Sequence, residues 1–322
     1  MTGWRPSSGP RAATTRATML ARIRDYFQGE GVLEVDTPVL SQAAVSDTQI
    51  ESFGIAQSAI SRAPLYLHTS PEFCMKRLLA AGYPDIFAIC RVFRDGEAGR
   101  RHQPEFTMIE WYRLGFSLAE IIADTVAVIA AALGDRAPRF EPVVIDYRDA
   151  FHQVLGIDPM EAPAERLASL AAAEDSLRRS IGDARDDWLD LLFATRIATS
   201  FANDRLTVLR HYPASQAALA RLCPGDRTVA DRFEVFLGAT ELANGYVELT
   251  DASEQQQRID ADNASRRQRG RTVRPVDTKL LAALQSGLPE CAGVALGFER
   301  LQMLHDETDD IRDVITFAYE PQ

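Results

Sequence analysis

Residues 91–112, RVFRDGEAGRRHQPEFTMIEWY, form the stretch of sequence that decides the fold. Apolar and aromatic residues lie at both ends, and two glycines, Gly96 and Gly99, interrupt them within a basic run. This order is typical of a strand, a tight loop and a returning strand, with strands predicted over residues 86–93 and 105–112. The sequence therefore predicts a β-hairpin whose loop carries positive charge.

The predicted hairpin has side chains that suit a nucleotide. Arg94 offers a planar fork of donors that a phosphate can accept bidentately. Phe106 supplies a flat apolar face for an adenine, while Arg100, Arg101 and His102 concentrate positive charge in a chain of net charge −11. An ordinary hairpin with a solvated basic loop is the alternative, and this segment alone does not decide between them.

A second segment, residues 293–304 (GVALGFERLQML), joins a strand of small residues to an amphipathic helix. Its glycines allow a ligand to approach the backbone closely. Arg300 stands at the junction, where its guanidinium can cover an aromatic base from the side opposite Phe106. A glycine-containing turn with a purely structural role is the alternative.

Together the two segments resemble motifs 2 and 3 of the class II aminoacyl-tRNA synthetases, and residues 31–38 (GVLEVDTP) resemble their motif 1. The resemblance is closest to the lysine branch, through residues 69–72 (TSPE), 104–112 and 241–251 (ELANGYVELTD). It implies an α+β fold, with an antiparallel sheet flanked by helices. We expect residues 1–322 to form a single catalytic domain with a helical insertion at about 158–200.

Only thirty residues precede the motif 1 segment, which leaves no room for the anticodon-binding OB-fold of a lysyl-tRNA synthetase. This layout, with Ala295 where tRNA synthetases usually have glycine, resembles the elongation factor P (R)-β-lysine ligases. The resemblance implies that ATP activates (R)-β-lysine as an adenylate, which passes to a lysine of elongation factor P, without anticodon binding. The alternatives are a lysyl-adenylate-forming ligase with another acceptor, and a non-catalytic synthetase-like regulatory subunit.

The resemblance also assigns the nucleotide and metal contacts. Arg94 and Arg300 are the implied catalytic residues, and Glu234 and Glu241 the implied ligands of Mg²⁺, a cation that prefers carboxylate and phosphate oxygens. Either His102 or Arg100 is expected to hold the γ-phosphate. The implied ATP-binding residues are Arg94, Asp95, Gly96, His102, Gln103, Phe106, Glu241, Leu242, Gly297 and Arg300.

The implied substrate-binding residues are Ser70, Pro71, Glu72, Tyr112, Glu248 and Ala295. Glu248, helped by Tyr112, matches the position that pairs with the ε-ammonium of lysine, and Glu72 is the candidate for the second ammonium, because buried cations need partners. A carboxylate that complements a helix N-terminus is the alternative for Glu72. The methyl group of Ala295 is expected to disfavour an α-amino acid by about 1–3 kcal/mol.

Glu234, Glu241 and Glu248 are seven residues apart, a spacing that also fits a solvated helix face. Against a helix, residues 233–237 (FEVFL) alternate and are rich in strand formers. The dipeptide Asn244-Gly245 is a strong turn signal. We therefore predict strands in this region, with a turn at Asn244-Gly245.

Three positions depart from the family pattern. The synthetases have Arg-x-Glu where this chain has Arg94-Asp95-Gly96, so either the backbone or Glu97 is expected to contact the adenine. Gln103 stands where asparagine is common. Glu299 replaces the usual aspartate before Arg300.

Composition sets the broad class. The 322 residues are 46% hydrophobic and 25% charged, and no long apolar run or N-terminal signal is evident, so a cytoplasmic protein without a membrane segment is expected. The net charge of −11 disfavours a broad nucleic-acid surface. Four cysteines without a C-x-x-C pair indicate neither zinc nor redox chemistry.

In class II enzymes the first helix, here predicted over 11–28, and the next strand form the dimer interface, so the resemblance implies a homodimer.

Overall fold

The computed structural model describes residues 4–320 and places them in two compact units, residues 4–137 with 248–320 and residues 138–247. The α-helices are α1 (Pro10–Gly29), α2 (Glu72–Ala80), α3 (Leu118–Leu133), α4 (Tyr147–Leu155), α5 (Ala164–Leu170), α6 (Asp175–Ile181), α7 (Arg185–Leu192), α8 (Ala252–Gln268), α9 (Thr278–Gly287) and α10 (Phe298–Asp306). The strands are β1 (Leu33–Glu34), β2 (Leu40–Ser41), β3 (Gly54–Ile55), β4 (Leu65–Leu67), β5 (Ile86–Phe93), β6 (Glu105–Leu114), β7 (Val143–Asp146), β8 (Leu206–Pro213), β9 (Leu222–Cys223), β10 (Asp226–Leu237), β11 (Thr240–Val247) and β12 (Cys291–Gly297).

Four strands of the first unit lie in the order β1-β5-β6-β12. β1 pairs parallel with β5, whereas β5, β6 and β12 pair antiparallel. The predicted hairpin is confirmed, because β5 and β6 stay in register from Ile86 opposite Tyr112 to Phe93 opposite Glu105. A smaller sheet has the order β2-β4-β3.

Aromatic packing fixes α1 against this hairpin. The ring of Phe27 stacks on Phe87 at 4.5 Å between centroids and lies 5.5 Å from Trp111. All three side chains are buried, so they remove large apolar surfaces from water together. The helix predicted over 11–28 is thus confirmed, with its apolar stripe facing the strands.

The C-terminal strand and helix are joined to the hairpin by a buried carboxylate. Glu299, in the first turn of α10, accepts hydrogen bonds from the Thr107 backbone N–H at 2.8 Å and from Arg16 Nη1 at 3.0 Å. Strand β12 pairs with β6 along its whole length, which brings Ala295 opposite Glu110. The strand-to-helix junction predicted at 293–304 is therefore confirmed, and it lies beside the basic hairpin.

The strands of the second unit lie in the order β11-β10-β8-β7, with β9 on β10. Helices α4 to α7 pack around an apolar cluster that includes Phe151, Trp188 and Leu192. Helices α5 to α7 lie within the segment predicted as a helical insertion. Division of the chain into a single domain with an insertion stays a prediction.

The predicted turn at Asn244-Gly245 is wrong, because both residues lie inside β11. Asn244 pairs with Glu234 and Gly245 with Phe233 across β10 and β11. The turn lies instead at Gly238, whose φ of 53° suits glycine. Pairing along β10 therefore outweighs the local turn preference of Asn-Gly.

The chain has the predicted α+β fold, with a largely antiparallel sheet flanked by helices. The four cysteines are free thiols. Between residues 4 and 320, no helix is both long and apolar enough to cross a membrane.

Candidate active site

Arg94 directly follows β5, at the start of the basic loop. Its guanidinium lies 5.2 Å from the ring centroid of Phe106, and Nη1 lies 3.6 Å from a carboxylate oxygen of Glu97. The buried Nε finds no acceptor among the described residues. A buried donor without an acceptor is costly, so this arginine fits a phosphate or carboxylate ligand.

Arg300 and His102 meet at the other side of the loop. Nη2 of Arg300 lies 2.7 Å from Nε2 of His102, and because a guanidinium only donates, this ring nitrogen accepts. Arg100 instead pairs with the exposed Asp309 at 2.6 Å. Of the two candidates for the γ-phosphate, only His102 is thus brought to Arg300 here.

Three other predicted nucleotide residues shape the loop. The backbone N–H of Asp95 donates to the carbonyl of Glu51, and Gly96 has a φ of 81°, which suits glycine. Gln103 is buried and accepts a hydrogen bond from the Tyr319 backbone at 2.7 Å. Their ATP contacts stay predictions.

On the substrate side, the segment before α2 brings Ser70 and Glu72 together. The hydroxyl of Ser70 accepts from the Glu72 backbone N–H at 3.0 Å and donates to Oε2 of Glu110 at 2.7 Å. Pro71 is the N-cap residue of α2, and Glu72 is the first residue of that helix. The Ser70 hydroxyl therefore links the backbone of Glu72 to the carboxylate of Glu110.

Glu110 is a residue of the candidate site that sequence reasoning missed. It is 2% exposed and also accepts from the Tyr112 hydroxyl at 2.7 Å. Burial and the charge of Glu72 raise the pKa of Glu110 to about 7. Its position two residues before Tyr112 on a strand was the available signal, since such residues share one face.

Glu248 lies close enough to Glu72 and Glu110 for their charges to act on its carboxylate. Its Oε2 is 2.5 Å from Nζ of Lys76, whereas its buried Oε1 accepts no hydrogen bond from the described residues. Burial raises the pKa of Glu248 to about 8, although the Lys76 ammonium opposes this shift. Such a carboxylate fits a cationic ligand.

Gly293 of β12 leaves room for Glu248 and Tyr112. A methyl group on Gly293 would lie 2.5 Å from both Glu248 Oε1 and Tyr112 Cε1, so any side chain there would force a neighbour to move. Ala295 is half-buried and opposite Glu110, whereas Gly297 ends the strand at the start of α10. The role of Ala295 in selecting the substrate stays a prediction.

The carboxylates expected to hold magnesium belong to the second unit. Tyr212 donates to Glu234 at 2.6 Å, and Arg232 lies 2.7 Å from it. Burial and the charge of Glu241 raise the pKa of Glu234 to about 7. Two carboxylates that repel in this way fit a hard divalent cation. The neighbouring Leu242 is buried within β11.

Comparison with known proteins identifies the family. The sequence pattern of the class II tRNA synthetases (D, K and N) matches residues 5–321. The chain belongs to this family. Among curated relatives, the elongation factor P–(R)-β-lysine ligase of Sodalis glossinidius is 43% identical over 321 residues, which are 98% of each chain.

Two further relatives of this class II family carry the same name. The protein of Pseudoalteromonas translucida is 44% identical over 318 residues, 98% of this chain and 97% of the relative. That of Photorhabdus laumondii is 43% identical over 319 residues, with the same coverage. The sequence resemblance to class II synthetases is therefore confirmed over the length of the chain.

Proposed function

We propose that this chain uses ATP to activate (R)-β-lysine as an adenylate and transfers it to a lysine side chain of elongation factor P. The observation that carries the proposal is the set of three interacting carboxylates, Glu72, Glu110 and Glu248, within one unit. A substrate with two ammonium groups suits such a set. Near-full-length relatives named for this activity support it.

In the first step the substrate carboxylate attacks the α-phosphorus of ATP, and pyrophosphate leaves. Arg94 stabilises the charge that develops on the phosphate, because its guanidinium donates to oxygens in a fixed geometry. Phe106 and Arg300 hold the adenine between them. Glu234 and Glu241 would hold magnesium, which when bound would supply neutralisation of phosphate charge.

In the second step an amine of elongation factor P attacks the carbonyl of the mixed anhydride. An amide bond forms, the bond between the carbonyl carbon and the phosphate oxygen breaks, AMP leaves, and the amine loses a proton. No nucleophilic side chain of the enzyme is required. Because the acceptor is a translation factor, we place this activity in the cytoplasm, and the family resemblance supports a homodimer.

ATP–pyrophosphate exchange tests the activation step. We expect label to enter ATP faster with (R)-β-lysine than with α-lysine at equal concentration. Faster exchange with α-lysine would show that this enzyme serves another substrate. Sedimentation equilibrium of the purified protein tests the dimer, and a monomer mass at micromolar concentration would exclude it.

A further inference from the structure

Lysine is rare in this chain. Of the 35 basic residues counted as lysine or arginine, only Lys76 and Lys279 are lysines. Lys279 is exposed on α9, whereas the side chain of Lys76 is 2% exposed on α2. A lysine carries a compact point charge on a flexible stem, whereas arginine carries a broad planar fork. Lys76 therefore places a compact positive charge at a buried position.

The ammonium of Lys76 bridges two carboxylates from separate parts of the first unit. Nζ lies 2.7 Å from Oε1 of Glu72, one helical turn earlier, and 2.5 Å from Oε2 of Glu248. Burial acts to lower the pKa of Lys76, but the neighbouring carboxylates of Glu248 and Glu72 outweigh it and raise this pKa. Lys76 is therefore charged throughout the physiological pH range.

The surroundings of this ammonium are mainly acidic. Glu110 repels the charge of Glu248, and the thiol of Cys291 lies close enough for both Glu248 and Lys76 to affect its pKa, which burial raises. When all are ionised, the carboxylates of Glu72, Glu110 and Glu248 carry three negative charges against one positive charge on Lys76. This set of four side chains then has two excess negative charges, which balance the two ammonium groups of a diamino acid.

We propose that Lys76 is a positioning and specificity residue of the substrate site, whose ammonium holds Glu72 and Glu248 in place and sets the charge of the carboxylate set to match two substrate ammonium groups. This inference rests on the proposed function, since both carboxylates are assigned there to the diamino acid. A buried ion pair alone adds little stability over apolar residues of similar size, so stability does not account for this lysine.

The first test is ATP–pyrophosphate exchange by Lys76→Met, with Lys279→Met as the matched control. Without the ammonium, the carboxylates bind protons more tightly, and a substrate ammonium must displace those protons. We expect the KM for (R)-β-lysine to rise about tenfold or more, and its pH dependence to move to higher pH. The KM for ATP and both KM values of Lys279→Met should stay as in the wild type.

A purely structural role for Lys76 predicts a different pattern, in which the amount of folded enzyme and the maximal rate fall while both KM values stay as in the wild type. A folded Lys76→Met enzyme with wild-type KM for (R)-β-lysine at every pH would overturn the proposal. Lys76→Gln, which keeps a hydrogen-bonding group but not the charge, should follow Lys76→Met. Wild-type behaviour of the glutamine variant would also overturn it.

The second test uses the wild-type protein and needs no variant to fold at position 76. Protein grown with ¹⁵Nζ-lysine should give two side-chain signals, assigned by Lys279→Arg. We expect added (R)-β-lysine to move the Lys76 signal and leave Lys279 unmoved; an unmoved Lys76 signal at saturation would contradict the proposal. If the wild type exchanges with neither lysine isomer, the proposed function fails, whereas this titration still reports on the diamine site.

Discussion

The hydroxyl of Tyr112 donates a 2.7 Å hydrogen bond to Oε1 of Glu110, two residues earlier on β6. Ser70 supplies a second hydroxyl to the other oxygen at 2.7 Å. Two neutral donors orient this buried carboxylate without neutralising it. Glu110 is therefore a buried, oriented carboxylate of the candidate site, beside the two carboxylates that the sequence indicates, Glu72 and Glu248.

Replacement of Glu110 by glutamine keeps the shape and removes the charge. We expect the KM for (R)-β-lysine in the exchange assay to rise about tenfold or more, because a buried ammonium would lose one of its partners. Glu105→Gln is the matched control, since Glu105 is exposed on the same strand. An unchanged KM in Glu110→Gln would remove this residue from the substrate site.

The raised pKa of Glu110 also predicts how the stability of the Glu110→Gln variant depends on pH. Burial and Glu72 raise the pKa of Glu110 from its ordinary value of 4.5 to about 7. Between these values the folded protein holds a proton that the unfolded chain has lost, so stability falls as pH rises through this window, by about 1.4 kcal/mol per unit at most. The midpoint of thermal unfolding should therefore change less between pH 5 and pH 7 in ligand-free Glu110→Gln than in wild type. Parallel curves would contradict the assigned pKa.

Gly293→Ala tests the space beside Glu248 and Tyr112. The added methyl group would lie 2.5 Å from atoms of both, so one of them must move. Overpacking of this kind costs about 1–3 kcal/mol, and we expect a lower unfolding midpoint together with a higher KM for (R)-β-lysine. Gly225→Ala is the control, because nothing lies within 4 Å of its added carbon. Equal behaviour of both variants would refute the close fit.

Arg94→Lys tests the nucleotide side. Lysine keeps the charge but loses the planar fork and the buried Nε that lacks an acceptor in the described chain. We expect the exchange rate with (R)-β-lysine to fall about 100-fold. Arg101→Lys, in the exposed part of the same loop, should keep nearly all activity. Similar losses in both would point to a general effect of loop charge.

Secondary structure is predictable from sequence where the signal lies in neighbouring residues, and less so where it depends on a distant strand. The hairpin strands were predicted because alternation and loop residues lie next to one another in sequence. The helix at Leu118–Leu133 also begins with a local signal, because Ser117 and Glu120 form a capping box at its start. Pairing between β10 and β11 overrides the turn signal of Asn244-Gly245, because that pairing depends on a neighbouring strand.

The residues of the candidate site also differ in whether a continuous sequence motif or only the fold indicates them. Arg94, Glu72 and Glu248 could be named from motifs that are continuous in sequence. Lys76 could not, because its partner Glu248 lies far away in the chain and meets it only through the fold. The i, i+4 spacing of Glu72 and Lys76 was visible, but it is also common on solvated helices.

Label transfer from (R)-β-lysine tests the central claim most directly. The enzyme, ATP and radiolabelled (R)-β-lysine are mixed with unmodified elongation factor P, with elongation factor P acetylated on its lysines, or with lysine tRNA. Acid-stable label should appear on unmodified elongation factor P alone, at up to about one equivalent per molecule. Label on the tRNA, or none on elongation factor P while exchange proceeds, would contradict the account.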